Sequence, residues 1–468
     1  MRGAWLTTVY GLDWPSKPAR TALEEQRQRE ELSDLLDQLH EIGINTIFLQ
    51  VRGRGDLLYP SDIEPLSPSI RSKSDTRPLG YDPLDFAIQE CHKRDMTLHA
   101  WLVALPLGNE QYLKALPKTA YAKQNREKCI LYQGEWYMDP AGHSTREHLR
   151  AIVRDLVARY PVDGVHLDYI RYPDHPAKFP DSRSFQQSKK EGETLQEWRT
   201  DNIHKIISEI HDEIKAVDES ILLSCATIGN YRELEGEEHI GWTALESVYQ
   251  DPKAWAEAGI VDFIVPMMYS KKGVTVPFVQ DWTQSISVPV VAGLGAYRVL
   301  KEEGNWSVAD VMSQAELMSS EESLLGTCFF RGDQIVQRHY GIRQPLTTHF
   351  AKQAVLPYPS GSIEGEVDAT DFALKSDADG VTLSWRPKTM APKLYTIYLK
   401  TQGQEPNRST GEDLYKVTSA STITIPWSLL DADEDLLTII IGSYNLHTRV
   451  ESLDDFRLLY HHRPSLSE

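Results

Sequence analysis

No Cys-x-x-Cys pair and no Cys/His metal spacing occurs in this 468-residue chain, which has only four cysteines: Cys91, Cys129, Cys225 and Cys328. A disulfide framework is therefore not expected. Cys225 and Cys328 fall in strand-like runs and Cys91 in a helical one, so they read as small buried hydrophobes. No apolar run reaches transmembrane length. Positive charge is scarce: 49 Lys and Arg face 68 Asp and Glu, a formal net charge of −19. That balance argues against nucleic acid or an anionic membrane surface as the main partner. A Gly-rich phosphate loop after the first strand is also missing, which counts against a nucleotide-binding open sheet. No signal peptide is visible: the chain opens at Met1-Arg2-Gly3-Ala4-Trp5-Leu6, directly in a strand. An exported protein freed of its leader would look this way, and so would a cytoplasmic protein that begins abruptly.

The chain has aromatics in quantity, with 11 Trp and 21 Tyr beside 11 Phe. Amphipathic rings suit carbohydrate, stacking on sugar CH faces while the indole N–H or hydroxyl stays polar. Most of them simply pack. The hydrophobic fraction of 41% is that of a globular protein, and the length suits a large domain plus an accessory module.

Up to residue 342, short β-branched runs alternate with helical periodicity. Strands are expected near 4–9, 45–51, 98–103, 163–168, 221–227, 262–268, 288–293 and 325–330. Helices are expected between them, as at 23–42 and 195–217. Eight β-α units imply a closed (β/α)₈ TIM barrel over 1–342. Residues 343–364 lack periodicity, carry Pro345, Pro357, Pro359 and Gly361, and read as a linker. From 365 to 468 the pattern is all-β and reads as a small sandwich of fibronectin type III kind, with Trp385 as its core tryptophan.

Active sites of such barrels sit at the C-terminal strand ends. The run Asp163-Gly164-Val165-His166-Leu167-Asp168 delivers a carboxylate there, backed by Tyr169, Arg171 and Tyr172. Capping of the next loop or pairing with Arg171 is the structural alternative for Asp168. The other strand ends offer Tyr10, Arg52, His99, Trp101, Tyr231, Tyr269 and Arg331. With His166 and Tyr172, these form the expected sugar-binding set. His166 shares parity with Asp168 and would lie one layer below it, either holding it or serving as a satisfied core histidine. Glycoside hydrolysis needs two carboxyl groups. Asp168 is the first, as nucleophile or base. Glu233 is the chosen acid, from a field that includes Asp56, Glu64, Glu135, Asp139, Glu235 and Asp333. Asp139 reads better as a helix-start cap, and Asp163 and Asp262 as supports at the barrel bottom. His99, His166 and Asp168 could converge on a metal, the reading of a metal-dependent carbohydrate deacetylase, but no HxH or HExxH spacing supports it. Hydrolysis itself needs only water, so no cofactor is implied. The competing reading, ahead of the deacetylase, is a glycan-binding protein that has lost catalysis.

Several ordered motifs also resemble one known family. These are Arg2-Gly3-Ala4-Trp5-Leu6-Thr7-Thr8 with Asp13-Trp14-Pro15, Asn45 to Arg52, Tyr59-Pro60-Ser61, His99-Ala100-Trp101-Leu102 and Asp163 to Tyr169. Over most of the first 340 residues the chain resembles the bacterial glycosyl-hydrolase-like 10 family. The resemblance implies a (β/α)₈ glycoside hydrolase, typically exported to the periplasm, the outer membrane or beyond. It implies a polysaccharide or peptidoglycan-type cell-wall glycan as substrate, with Asp168 as catalytic carboxylate. Some relatives carry two adjacent Asp at this strand end, where this chain has Tyr169. The third strand runs into Val103-Ala104-Leu105-Pro106-Leu107 instead of the familiar Asn-Pro.

Overall fold

In the computed structural model, eight parallel strands close into a ring. They are β1 (Arg2–Leu6), β2 (Thr46–Arg52), β3 (Thr97–Val103), β4 (Gly164–Asp168), β5 (Leu222–Ile228), β6 (Phe263–Met267), β7 (Val290–Gly295) and β8 (Leu324–Phe330). Each pairs with its neighbours in chain order, and β1 closes on β8 with Arg2 opposite Thr327. The structure describes residues 1–72, 77–237, 241–354, 366–390, 393–401, 404, 406, 411–429, 437–445, 451–452 and 457–460. The chain divides into two units, Met1–Thr348 and His349–Glu468.

Local chemistry sets the helix limits. Helix Ala22–Ile42 starts where the Thr21 side chain accepts from the Glu24 N–H, and it stops at Gly43 with φ 99°. Only a residue at ease in the left-handed region ends a helix this way. Helix Leu195–Val217 starts at a Thr194/Glu197 capping box and buries Ile203, Ile206, Ile207, Ile210 and Ile214, the 3.6-residue stripe that faces a sheet.

The barrel bottom repeats one device. At three of the four even-numbered strands, β2, β4 and β6, the residue before the strand caps an N–H at the start of the odd strand preceding it. Asn45 accepts from Arg2 N (2.9 Å), Asp163 from Leu98 N (2.8 Å) and Asp262 from Leu223 N (2.6 Å). Asp163 also bonds His92 Nε2 at 2.8 Å, and Asp262 takes Lys215 Nζ at 3.1 Å. Both aspartates are thus the bottom supports their position predicts.

The barrel interior is an aromatic plug. Trp5, Phe48, Trp101, Val103, Phe263, Val265 and Cys328 form one buried cluster. The Phe48 ring centroid lies 4.6 Å from His166 and 5.0 Å from His99, and His99 lies 5.7 Å from Phe263. Gly164 makes room for this: a Cβ there would sit 2.2 Å from His99 Nδ1.

The segment after β3 holds structure that the sequence pattern does not show, and one expectation needs correction. The excursion after β3 is ordered: Pro106–Asn109, Cys129–Tyr132 and Glu135–Met138 form an antiparallel three-stranded sheet. Its strands of four residues are too short for periodicity to reveal. The stretch read as linker begins as a helix, Arg343–His349. Pro345 falls in its first turn, where the backbone N–H has no helical partner to lose. Pro357, Pro359 and Gly361 lie outside the described residues.

The second unit is all-β. Ala369–Ser376, Gly380–Pro387 and Thr422–Pro426 make one antiparallel sheet. Leu414–Thr418, Lys393–Thr401, Leu437–Asn445, Glu451–Ser452 and Arg457–Tyr460 make the other. Leu383, Trp385 and Ile425 of the first meet Tyr395, Ile397, Ile439 and Ile441 of the second in one core.

Candidate active site

Asp168 is the last residue of β4, and its backbone carbonyl accepts from Ala104 N at 2.8 Å, pinning it to the end of β3. Its side chain is 6% exposed. One carboxylate oxygen accepts from Trp101 Nε1 (3.2 Å), the other from the Tyr169 backbone N–H (2.7 Å). Among the described residues it makes no ion pair. Burial raises its pKa, and the Tyr169 N–H, the Arg171 charge and Trp101 oppose that only in part. The carboxyl therefore keeps its proton to a higher pH than an ordinary aspartate, a property suited to acid–base work.

Around it lies a wall of rings. Phe330, at the end of β8, is edge-on to Trp101 (6.4 Å) and stacked with Tyr269 (6.0 Å, 24°). Tyr297 meets Tyr269 at 5.5 Å and Phe330 at 5.3 Å. Burial, then Tyr297 and Asp168, push the Tyr269 phenol well up, so it remains a neutral O–H donor. Tyr169 is 44% exposed at φ 49°, with the Arg171 guanidinium 4.9 Å from its ring. A cavity of about 220 Å³ opens beside these groups between the ends of β5, β6 and β7; Trp242, Tyr269 and Arg298 line it. On the opposite flank, Arg54 pairs with Glu135 (2.6 Å).

The structure brings together Asp168, Trp101 and Tyr269 of the expected set, with Tyr10 (62% exposed) and Arg331 on the same rim. Trp101 is buried and acts on Asp168 through its N–H. Arg331 sits 3.7 Å from both Asp13 and Asp333.

Five expected binding residues point elsewhere. Arg52 is fully buried, doubly bonded to Glu64 and donating to the carbonyls of Val103 and Ala104. His148 also reaches Glu64, at 2.9 Å. Their charges hold Glu64 down to about 2 against the opposing effect of burial. His166 is a core histidine: Trp5 Nε1 donates to its Nε2 (3.1 Å), and its Nδ1–H faces Ser224 Oγ (2.9 Å). Burial, with His99 nearby, lowers its pKa well below the usual value, so it is neutral. With both nitrogens engaged, it has no lone pair for a metal. His99 is buried in the same plug. Tyr172 turns into the helix layer against Phe179 and Tyr249, because Tyr169 takes a left-handed backbone. Tyr231 packs on Trp282 (5.4 Å) with its hydroxyl toward Asp251.

The carboxylates divide similarly. Glu233 is exposed, next to an Arg232 that is tied to Asp281. Asp56 is buried and accepts from the Tyr112 hydroxyl (2.7 Å). Asp139 accepts from Ala141 N (3.0 Å), in the turn that leads into helix His143–Arg159. Among the described residues, no group of three His, Cys, Asp or Glu side chains is placed to hold a metal ion.

Two lining residues escaped the sequence reading: Trp242 and Arg298. Only Trp242 left a signal, an indole after Gly241 in an otherwise polar loop.

The chain is similar to known proteins over most of its first unit. The family described as "Glycosyl hydrolase-like 10" matches residues 1–301. The chain is 29% identical over 371 residues to glycosyl hydrolase DigH of Escherichia coli K12, covering 72% of this chain and 83% of that one. It is 27% identical over 376 residues to glycosyl hydrolase YngK of Bacillus subtilis 168, covering 76% and 73%. Among solved structures, the PgaB (BpsB) glycoside hydrolase domain of Bordetella bronchiseptica matches with a TM-score of 0.49 at 12% identity, covering 71% of this chain and 95% of that one.

Proposed function

Because this chain belongs to the glycosyl hydrolase-like 10 family, we propose that it hydrolyses glycosidic bonds of a polysaccharide or peptidoglycan-type cell-wall glycan. Asp168 is its proton-carrying carboxylate. One observation carries the assignment: Asp168 is a buried carboxyl at the barrel mouth with no ion pair among the described residues and a raised pKa. A carboxyl so held gives its proton to the leaving glycosidic oxygen as the C1–O bond breaks, and water supplies the hydroxyl at C1. Trp101 aims the carboxyl, Tyr269 donates to a sugar oxygen, and Trp242 and Tyr169 offer ring faces.

The second carboxylate must stay charged while Asp168 holds its proton. Glu135, paired with Arg54 on the same rim, fits that role; the roles are thus exchanged from those expected from sequence, with Asp168 as nucleophile or base and Glu233, which is exposed, as the acid. Such a substrate calls for export to the cell envelope. The C-terminal unit suits a fibronectin type III-like module, on the support of its two facing sheets and buried Trp385.

The test is reducing-end release from a glycan panel that includes peptide-free peptidoglycan strands. Asp168→Asn should lower the rate by about 10²–10⁴-fold with folding intact, and Glu135→Gln should fall further than Glu233→Gln. Activity that survives Asp168→Asn would remove the assignment. Binding without any release would instead make the protein a glycan binder.

A further inference from the structure

A second cleft, about 470 Å³, lies on the rim and takes no part in the account above. Its walls come from the segments after β1, β2 and β3, and include Tyr10, Pro15, Pro68, Ser69, Gln111 and Tyr112. In a closed ring of eight, β2 stands opposite β6. This cleft therefore faces the Trp242–Tyr269 cavity across the mouth, and Asp168 on β4 lies between the two sectors.

Tyr10 meets Tyr112 edge-on at 5.9 Å. Arg54 lies within electrostatic range of Tyr10, Tyr112 and Tyr169. Tyr169 lies within range of Tyr269 and Tyr297. Tyr169 follows Asp168 directly, its backbone N–H bonded to that carboxyl, so the catalytic residue lies between the two clefts. Tyr10 itself is unusual on two counts. It leaves a large ring 62% exposed, and it holds a left-handed backbone at φ 58°, a conformation uncommon for a bulky side chain. Exposed aromatic faces beside amide and hydroxyl groups are what a sugar ring meets in a binding groove.

We infer that the mouth is one through-going groove, with a distal sugar subsite in the Tyr10–Tyr112 cleft, and that the protein cuts within a glycan chain instead of at its end. This rests on the glycosidase reading and adds its mode. An end-cutting enzyme needs room on one side of the scissile bond only. Here there is a cleft on each side.

The experiment uses the full chain and peptide-free peptidoglycan strands fractionated by length. Early products from long strands should be of mixed intermediate lengths, and kcat/KM should rise with strand length until both clefts are spanned. Tyr10→Asn keeps a residue at ease with positive φ and removes the ring. It should shrink the advantage of long over short strands by about tenfold, the weight of one good ring contact. Release of only mono- or disaccharides from the first time point would overturn the proposal. So would a Tyr10→Asn effect equal at all lengths. Binding to Asp168→Asn, measured by calorimetry, separates this from the parent reading. If nothing is hydrolysed but affinity grows with length and Tyr10→Asn abolishes the growth, the groove stands and the hydrolase falls. If affinity is flat with length, the groove falls.

Discussion

Asp163 and Asp168 bracket the same strand, five residues apart, and live in opposite chemical worlds. Asp163, at the closed end, takes the Leu98 N–H and His92 at 2.8 Å each. Asp168, at the open end, is given one indole N–H and one backbone N–H and, among the described residues, no cation in contact. The first carboxylate stabilises strand ends. The second has neutral donors only, so its proton is available for chemistry. Position at the open end is not sufficient for this. Glu64 also belongs to that end, yet Arg52 and His148 neutralise it as thoroughly as any support at the bottom. What separates a structural from a chemical carboxylate here is whether a basic side chain bonds to it, as His92 does to Asp163 and Arg52 and His148 do to Glu64.

Mutations can break or sharpen that contrast. The largest stability effect is expected from Arg52→Met, which leaves Glu64 buried and short of its main partner. The cost should be about 3–5 kcal/mol in urea denaturation, and adding Glu64→Leu should recover much of it. Asp163→Ala orphans the Leu98 N–H and should cost about 1–3 kcal/mol, with specific activity per folded molecule retained. If Asp163→Ala abolished activity without loss of stability, the division between the two ends would fail.

Trp101→Phe tests the open end more finely. The indole N–H favours the charged form of Asp168. Its removal should raise that pKa and move the Asp168 limb of the kcat/KM–pH profile to higher pH. The smallest effect is on stability. Asp168 has a raised pKa in the folded protein, so its favourable contribution is complete at low pH and is lost as pH rises through the folded value. Asp168→Asn carries no charge at any pH. It should match the parent in thermal melts at acid pH and exceed it at neutral pH, the usual trade of stability for function.

Much of this was legible in the chain itself. Each barrel strand lies within three residues of its expected bounds, because apolar β-branched runs between helical stripes leave few alternatives. The parity of His166 and Asp168, and the bottom placement of Asp163 and Asp262, follow from a period of two. What was not legible depends on partners distant in sequence or on one backbone angle. Arg52 looked free until Glu64, His148 and the Val103 carbonyl closed on it. Tyr172 looked like a rim residue, but the left-handed turn at Tyr169 sends it into the helix layer. Tyr231 was lost to Asp251 and Trp282. Trp242 joined the site because loops that run separately in sequence converge over the barrel mouth.

The seam between β1 and β8 has a consequence for biosynthesis. One edge of β1 pairs with β2, while on its other edge Arg2, Gly3 and Ala4 meet Thr327, Cys328 and Phe329. A chain that emerges from the ribosome N-terminus first must therefore carry one open, hydrogen-bond-hungry strand edge until more than three hundred further residues have been made. During that interval the nascent barrel is most exposed to wrong pairing. The hydrogen bond from Trp5 to His166 can form once β4 has appeared, well before the ring can shut, and would hold the first strand in register while it waits.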